Sequence, residues 1–448
     1  MPTDDREPPP GSLLSPRESL RVWVPVGLNS FGGPAGQLAV IHRTVVDEHQ
    51  IVDEQRYLHA LNFCMLLPGP EAMQLATYLG WLSGGVSGGV IAGSAFVLPG
   101  AAFMLVISAV YAVAGDVGWV SGLLFGVQTA VIGIVAQAVI RIAGRALRSP
   151  LLVVLAGAAF VAVFLFSAPF PLVVLVALAV GWLVGRRRPD LLAATPRGQD
   201  DRDRTPPASA VAARRAAYVA LALWLVPVAG LVVVLGRSAL LAQQAVLFSQ
   251  AAVLGFGGAY AVLAFVSQQA VQTYGWLTPS QMVTGLGLAE TTPGPLILVC
   301  EFVGFVAAYQ ATPSGVPPLV AGAVAAAVTV WVLFLPSFAF VFLGAPYVER
   351  LRHSIGLSSA LAAVTAVVVG VIADLAVWFT IHVVFDQSRA VTVGPFDLEL
   401  PVPGSLDVWA AALAVVGAVL LFRVRLAMLE VLGICAVLGL LVTLAGWH

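Results

Sequence analysis

Apolar residues run through this chain in long stretches broken by few polar positions. The runs cover about 20–36, 58–82, 86–113, 119–140, 150–167 and 169–185, and after a polar stretch they resume at 216–236, 245–270, 282–309, 317–343, 357–382, 406–422 and 426–446. About 20 apolar residues cross a bilayer as a helix, and most of these runs lack a periodic polar face, as segments surrounded by lipid require. The pattern predicts an all-α polytopic membrane protein with about 13 transmembrane segments. The first, second, eighth and ninth runs carry Gly/Pro clusters and ionisable residues, so their helices are expected to be interrupted. If they dip in and return, the number of crossings falls and the orientation of the rest survives.

Composition agrees. Of 448 residues 59% are hydrophobic and 10% charged, with a mean hydropathy of +0.95; soluble domains hold about 25% charged residues, so a water-soluble enzyme is excluded. All 22 basic residues are Arg and the net charge is −1. Cys64, Cys300 and Cys435 lie far apart and make no zinc or disulfide spacing. Residues 1–18 read as a disordered, Pro-rich tail. The stretch 186–215 holds eight Arg against four Asp and reads as a cytoplasmic linker, because basic loops between spans face the cytoplasm; nucleic acid is not an expected partner. That choice puts Arg17, Arg21, Arg141, Arg145, Arg148, Arg350, Arg352, Arg423 and Arg425 inside. It puts the acidic loop around Asp386, Asp397, Glu399 and Asp407 outside.

The chain repeats itself. Phe31-Gly32-Gly33 recurs as Phe256-Gly257-Gly258 and Pro68-Gly69-Pro70 as Pro293-Gly294-Pro295, both 225 residues on. Shared spacing of two separate motifs marks a duplication. It predicts a first repeat at 19–185, a connecting helix at 216–240 and a second repeat at 241–448. Seven crossings between equivalent positions is an odd number, so the repeats are expected to be inverted. Inverted repeats with matching interrupted helices point to a transporter whose site lies between them.

A proline-glycine break inside a membrane segment restarts a helix whose first N–H groups are free. After Pro70 these belong to Glu71, Ala72 and Met73, and after Pro295 to Leu296, Ile297 and Leu298. Helix N-termini attract anions, so two facing breaks make a pocket suited to a small oxyanion. Candidate binding positions are Asn29, Ser30, Phe31, Gly32, Gly33, Arg43, Arg56, Asn62, Pro68, Gly69, Pro70, Glu71 and Gln74 in the first half. In the second they are Phe256, Gly257, Gly258, Tyr260, Thr291, Thr292, Pro293, Gly294 and Pro295. Arg43 and Arg56 either hold the anion or pair with Asp47, Glu48, Asp53 or Glu54. Ionisable groups at membrane depth are costly and usually functional; Glu71, Glu290 and Glu301 are the candidates for proton coupling, with Glu71 either occupying the empty anion site or taking up a proton as the anion enters, and Asp374 is a further intramembrane carboxylate. His42, His49, His59 and His382 have no metal or haem spacing, so neither metal nor cofactor is expected.

The segments 29–37, 61–72, 256–263 and 285–296 together closely resemble the chromate ion transporter family in its long-chain, two-domain form. The resemblance implies an inner-membrane secondary transporter that expels chromate and confers chromate resistance, with sulfate as a structural analogue. Glu301 departs from the pattern, which favours Gln there. Partners implied are the oxyanion and the lipid bilayer, with a homodimer allowed. The alternatives are an importer of sulfate or a related oxyanion, and an anion channel; a membrane reductase would need a redox centre that the sparse Cys and scattered His do not offer.

The charge pattern and the odd spacing of the repeats put 186–215 inside and the C-terminus outside. Ser209→Cys and Gly446→Cys are expected to react with an impermeant thiol reagent from opposite faces of the membrane; labelling from one face would refute the inverted arrangement.

Overall fold

The computed structural model describes residues 14–188, 191, 210–256, 258–311, 315–345, 355–394 and 396–446. Helix α1 (Pro16–Asn29) begins inside the stretch read as a tail, because Ser15 and Glu18 form a capping box, each side chain bonded to the other's backbone N–H. Such reciprocal capping satisfies two N–H groups that the helix cannot. α1 stops at the first break, where Gly32 and Gly33 take φ of 82° and 71°, a region that favours glycine.

The chain then turns back. α2 (Gly33–His42) and the π-helical turn Arg43–Glu48 return beside α1, so that Arg21, Asn29, Arg43 and Glu48 surround one cavity. α3 (Glu54–Cys64), capped by Asp53, runs in again against α2, with Tyr57 Oη donating to Leu38 O at 2.9 Å. At the second break Gly69 takes φ of 118°, and α4 (Glu71–Ala114) follows. α4 is not one rod. Gly84 and Gly85 fold it into arms 71–83 and 86–114, with Gly80 pressed on Gly88 and Ala92, and Thr77 on Gly93. The rings of Phe63 and Tyr78 pack at a tilt with centroids 5.1 Å apart, so the first arm returns along α3. The two interrupted runs of this half thus form two hairpins, α1 with α2 tipped by Phe31-Gly32-Gly33, and α3 with the first arm of α4 tipped by Pro68-Gly69-Pro70. α5 (Gly118–Ala146), α6 (Pro150–Phe166) and α7 (Phe170–Arg187) complete the half.

α8 (Ala210–Leu235) leads to the same sequence of elements: α9 (Leu240–Leu254), α10 (Ala259–Ser267), the π turn Gln268–Thr273, α11 (Pro279–Thr291), the 3-10 turn Leu296–Leu298, α12 (Val299–Gln310) and α13 (Pro318–Gly344). Gln268 follows Arg43, Thr278 follows its fellow cap Asp53, and Leu296 follows Glu71, each by 225 residues. The turn bond His49 N–H to Thr44 O recurs as Tyr274 N–H to Gln269 O, and the positive φ of Gln50 recurs at Gly275. Past the second break the spacing becomes 237, as with Pro99 in α4 and Pro336 in α13; residues 311–317 join α12 to α13 where two glycines sufficed before. Phe342 packs on Gly89 and Phe338 on Gly93, so α13 and the equivalent arm of α4 run antiparallel.

α14 (Ile355–Val384), α15 (Val408–Val419) and α16 (Met428–Leu444) close the chain. α14 packs on α6 and α7 through Gly370 against Ala156 and Gly181 against Ala363, and α16 on α5 through Gly126 against Cys435. Among the described residues six helices can cross a membrane by length and composition, and five more apolar helices are shorter. The polytopic α-helical fold expected from the sequence is what is found, with two local corrections. Arg186 and Arg187 lie on α7, and Arg214 and Arg215 on α8, so the helices extend into the stretch read as linker; residues 192–209 lie outside those described. The acidic loop folds into an antiparallel hairpin, β1 (Ser388–Val393) and β2 (Phe396–Pro401), in register from Ser388↔Pro401 to Val393↔Phe396. Glu399 anchors it, accepting from Trp378 Nε1 (3.2 Å), His382 Nε2 (2.9 Å) and Ser388 Oγ (2.6 Å). The His382 hydrogen bond, joined by that from Ser388, holds its carboxyl down at about 2 against the desolvation that opposes it.

Close glycine packing drives helix association where lipid offers no hydrophobic gain. Gly93→Val would collide with Thr77 and Phe338, whereas a side chain at Gly230 meets nothing. Gly93→Val is expected to lower stability by about 1–3 kcal/mol and reduce the monodisperse yield in detergent, with Gly230→Val close to wild type; equal behaviour of the two would refute the packing role.

Candidate functional site

The tips of the hairpins meet in crossed pairs. Gly294 N–H donates to Ser30 O at 2.9 Å, and Gly69 N–H donates to Gly255 O at 3.1 Å. Each proline-glycine tip therefore bonds to the phenylalanine-glycine tip of the other half. Gly294 (φ 87°) and Gly69 (φ 118°) are equivalent, as are Ser30 and Gly255, so one contact is made twice. Gln37 adds a bond from Nε2 to Gly294 O at 2.7 Å. The fit is tight: a Cβ on Gly100 of α4 would strike Pro293 O, and one on Gly69 would lie 2.8 Å from Ser337 Oγ of α13.

Two carboxylates face this junction from opposite halves. A Cβ on Gly258 would lie 3.8 Å from Glu71 Oε1, and one on Gly33 would lie 3.9 Å from Glu290 Oε2. Tyr260 Oη donates to Glu290 Oε1 at 2.6 Å, while Glu290 Oε2 is buried without a partner. α4 has no side-chain cap and its first internal bond is Gln74 N–H to Pro70 O. The N–H groups of Glu71, Ala72 and Met73 therefore have no acceptor within their helix, as the sequence suggests. The second restart differs. It opens as a 3-10 turn in which Leu298 N–H bonds to Pro295 O at 3.0 Å. Leu298 is thereby removed from the expected donors, leaving Leu296 and Ile297.

Several neutral candidates are occupied elsewhere. Asn29 Nδ2 donates to Pro25 O, Ser30 Oγ to Val26 O, Gln74 Nε2 to Pro68 O, and the hydroxyls of Thr291 and Thr292 both to Leu288 O. These side chains satisfy carbonyls that the broken helices leave open. Gln74 Oε1 stays buried and unpartnered. Asn62 lies half-buried on α3, as do Phe31 and Phe256 at the breaks; Gly257 lies outside the described residues. Arg43 and Arg56 are away from the tips, with side chains 62% and 47% exposed, and pair with Glu48 at 3.2 Å and Asp53 at 3.6 Å. Glu301 sits on α12 beyond the restart, buried, with Oε2 unpartnered.

Sequence reading missed Gln37, Gly100 and Ser337. The last two were detectable: Leu98-Pro99-Gly100 recurs as Leu335-Pro336-Ser337, but at the shifted spacing.

The family model for chromate transporters matches residues 18–182 and 242–440. A chromate transport protein of Pseudomonas aeruginosa is 34% identical over 377 residues, covering 83% of this chain and 82% of the relative. A chromate transport protein of Cupriavidus metallidurans is 28% identical over 80% of each chain. An uncharacterized transporter of Methanocaldococcus jannaschii is 23% identical over 81% of this chain and 83% of the relative. No solved structure matches. Matched across both halves, the chain belongs to the chromate transporter family.

Proposed function

We propose that this protein carries chromate, or a related tetrahedral oxyanion, out across the cytoplasmic membrane and so confers chromate resistance. The observation that carries the reading is the meeting of four broken-helix tips at one junction, in a chain similar over most of its length to chromate transport proteins. Backbone amides at such breaks bind anions without placing a permanent cation in the membrane.

On this reading the paired hairpins enter from the two faces and meet at mid-membrane. Nine of the described helices then cross, against the thirteen segments expected: the second arm of α4, α5 to α8, and α13 to α16. Each half loses an even number of crossings, so its repeat stays inverted, in keeping with antiparallel α13 and α4. The basic loops stay inside and the β-hairpin outside.

The two carboxylates decide the coupling. A dianion beside an ionised Glu71 or Glu290 is strongly repelled at low dielectric, so anion and proton bind together. Ligands that favour each other's binding occupy the same state. On this reading proton and anion move in one direction. A potential of 100 mV, negative inside, favours export of a bare dianion by ~4.6 kcal/mol, and of a dianion carrying one proton by ~2.3 kcal/mol. With two protons the complex is neutral and only concentration gradients act. Export driven by potential thus requires no more than one proton per anion.

Labelled chromate and sulfate in everted vesicles, with potential and pH gradient imposed separately, test the reading. Saturable chromate uptake stimulated by a positive lumen is expected. Transport only in the opposite sense would establish import, and non-saturable flux a channel.

Pro68→Ala and Pro293→Ala, which let the helices run on, are each expected to abolish uptake at least tenfold while the protein still inserts. Normal uptake in both would reduce the breaks to packing features. Glu71→Gln is expected to keep uptake but lose its response to an imposed pH gradient and respond more steeply to potential, since each cycle then moves one more negative charge. An unchanged pH response would shift the coupling role to Glu290.

A further inference from the structure

The cavity between α1 and the returning π turn measures about 180 Å³ and is bordered by Arg21, Asn29, Thr44, Arg43, Glu48 and His49. Asn29 is the last residue of α1, so the cavity runs from the mouth of the first hairpin to the break at its tip. Two guanidiniums oppose one carboxylate there, leaving a net charge of +1 before any contribution from His49. Arg43 is held by Glu48 through Nε at 3.2 Å, and its side chain is 62% exposed. Arg21, one helical turn before Pro25, is exposed on the same border.

The duplicated half does not repeat these charges. At a spacing of 225 residues, Arg21 becomes Val246, Arg43 becomes Gln268, Glu48 becomes Thr273 and His49 becomes Tyr274. Both halves build the same π turn and the same break, so forming that scaffold does not require the charges. A mouth lined by charge of one sign concentrates counter-ions and raises their association rate, an effect that salt weakens.

We propose that the Arg21–Arg43 cavity is a recruitment subsite for a doubly charged tetrahedral oxyanion, delivering it to the junction from the α1 face only. The inference rests on the oxyanion-transport reading and adds a sidedness to it. Arg21 and Arg43 supply attraction, Glu48 tempers it so that the anion moves on, and Asn29 stands where the anion passes to the break.

The test uses chromate uptake at low and high ionic strength, in vesicles of both orientations, for wild type, Arg21→Gln, Arg43→Gln and Glu48→Gln. From the α1 face at low salt, each arginine variant is expected to raise KM about five- to tenfold and to flatten its salt dependence. Glu48→Gln is expected to lower KM on that face about threefold, a change of opposite sign that mere loss of folding cannot produce. KM measured from the other face should stay within twofold for all three. Unaltered KM and salt dependence on the α1 face would overturn the subsite, as would equal changes on both faces or a reversed orientation of Gly446→Cys. Equilibrium binding of chromate to the purified protein separates the two readings. If the wild type binds chromate and Arg21→Gln weakens that binding but no vesicle transports, the subsite stands and the transport reading fails. If the wild type transports and the variants match it throughout, the subsite fails alone.

Discussion

Two backbone hydrogen bonds, Gly294 N–H to Ser30 O and Gly69 N–H to Gly255 O, organise this molecule. A helix broken inside a bilayer leaves N–H and C=O groups that no water can satisfy, each costing several kcal/mol if unpaired. Here each half lends the other the missing partner. The tips must therefore meet, and to meet they need hairpins that enter and return, glycines at φ that other residues avoid, and helices narrow enough to let backbones touch. Thr291, Thr292, Ser30 and Asn29 serve the same end by bonding carbonyls that the breaks expose.

The scaffold is repeated faithfully and the chemistry is not. Both halves carry the π turn, the capped helix after it and the crossed tip bond. Yet Glu71 is matched by Leu296, Glu290 by Met65, Tyr260 by Ala35, Gln37 by Val262 and Glu301 by Ala76. Backbone geometry tolerates these exchanges, because the tip bonds use no side chain. Side chains were thus free to diverge within a duplicated frame. One carboxylate per half now faces the glycines of the other, and Arg21, Arg43 and Glu48 of the first half are matched by Val246, Gln268 and Thr273.

Much of this was legible from residues alone. Long uncharged runs required helices in lipid, since a charge or an open strand edge is too costly there. Two tripeptides at one spacing required duplication, and proline with glycine required a helix to restart with free amides at Glu71.

What the sequence could not decide were contacts between residues far apart in the chain. The apolar runs 58–82 and 86–113 part where α4 folds at Gly84 and Gly85, but only the packing of Gly80 on Gly88 and of Thr77 on Gly93 shows that the two arms lie against each other. Leu298 looked like a free donor until the restart tightened into a 3-10 turn. The β-hairpin hid in a polar loop because its hold on α14 runs through Glu399, a residue whose partners lie up to 21 positions away. Local composition and motif spacing determined which segments break. Which broken end faces which is a property of tertiary packing, because backbone groups pair by position in space and carry no mark of their partner in the sequence.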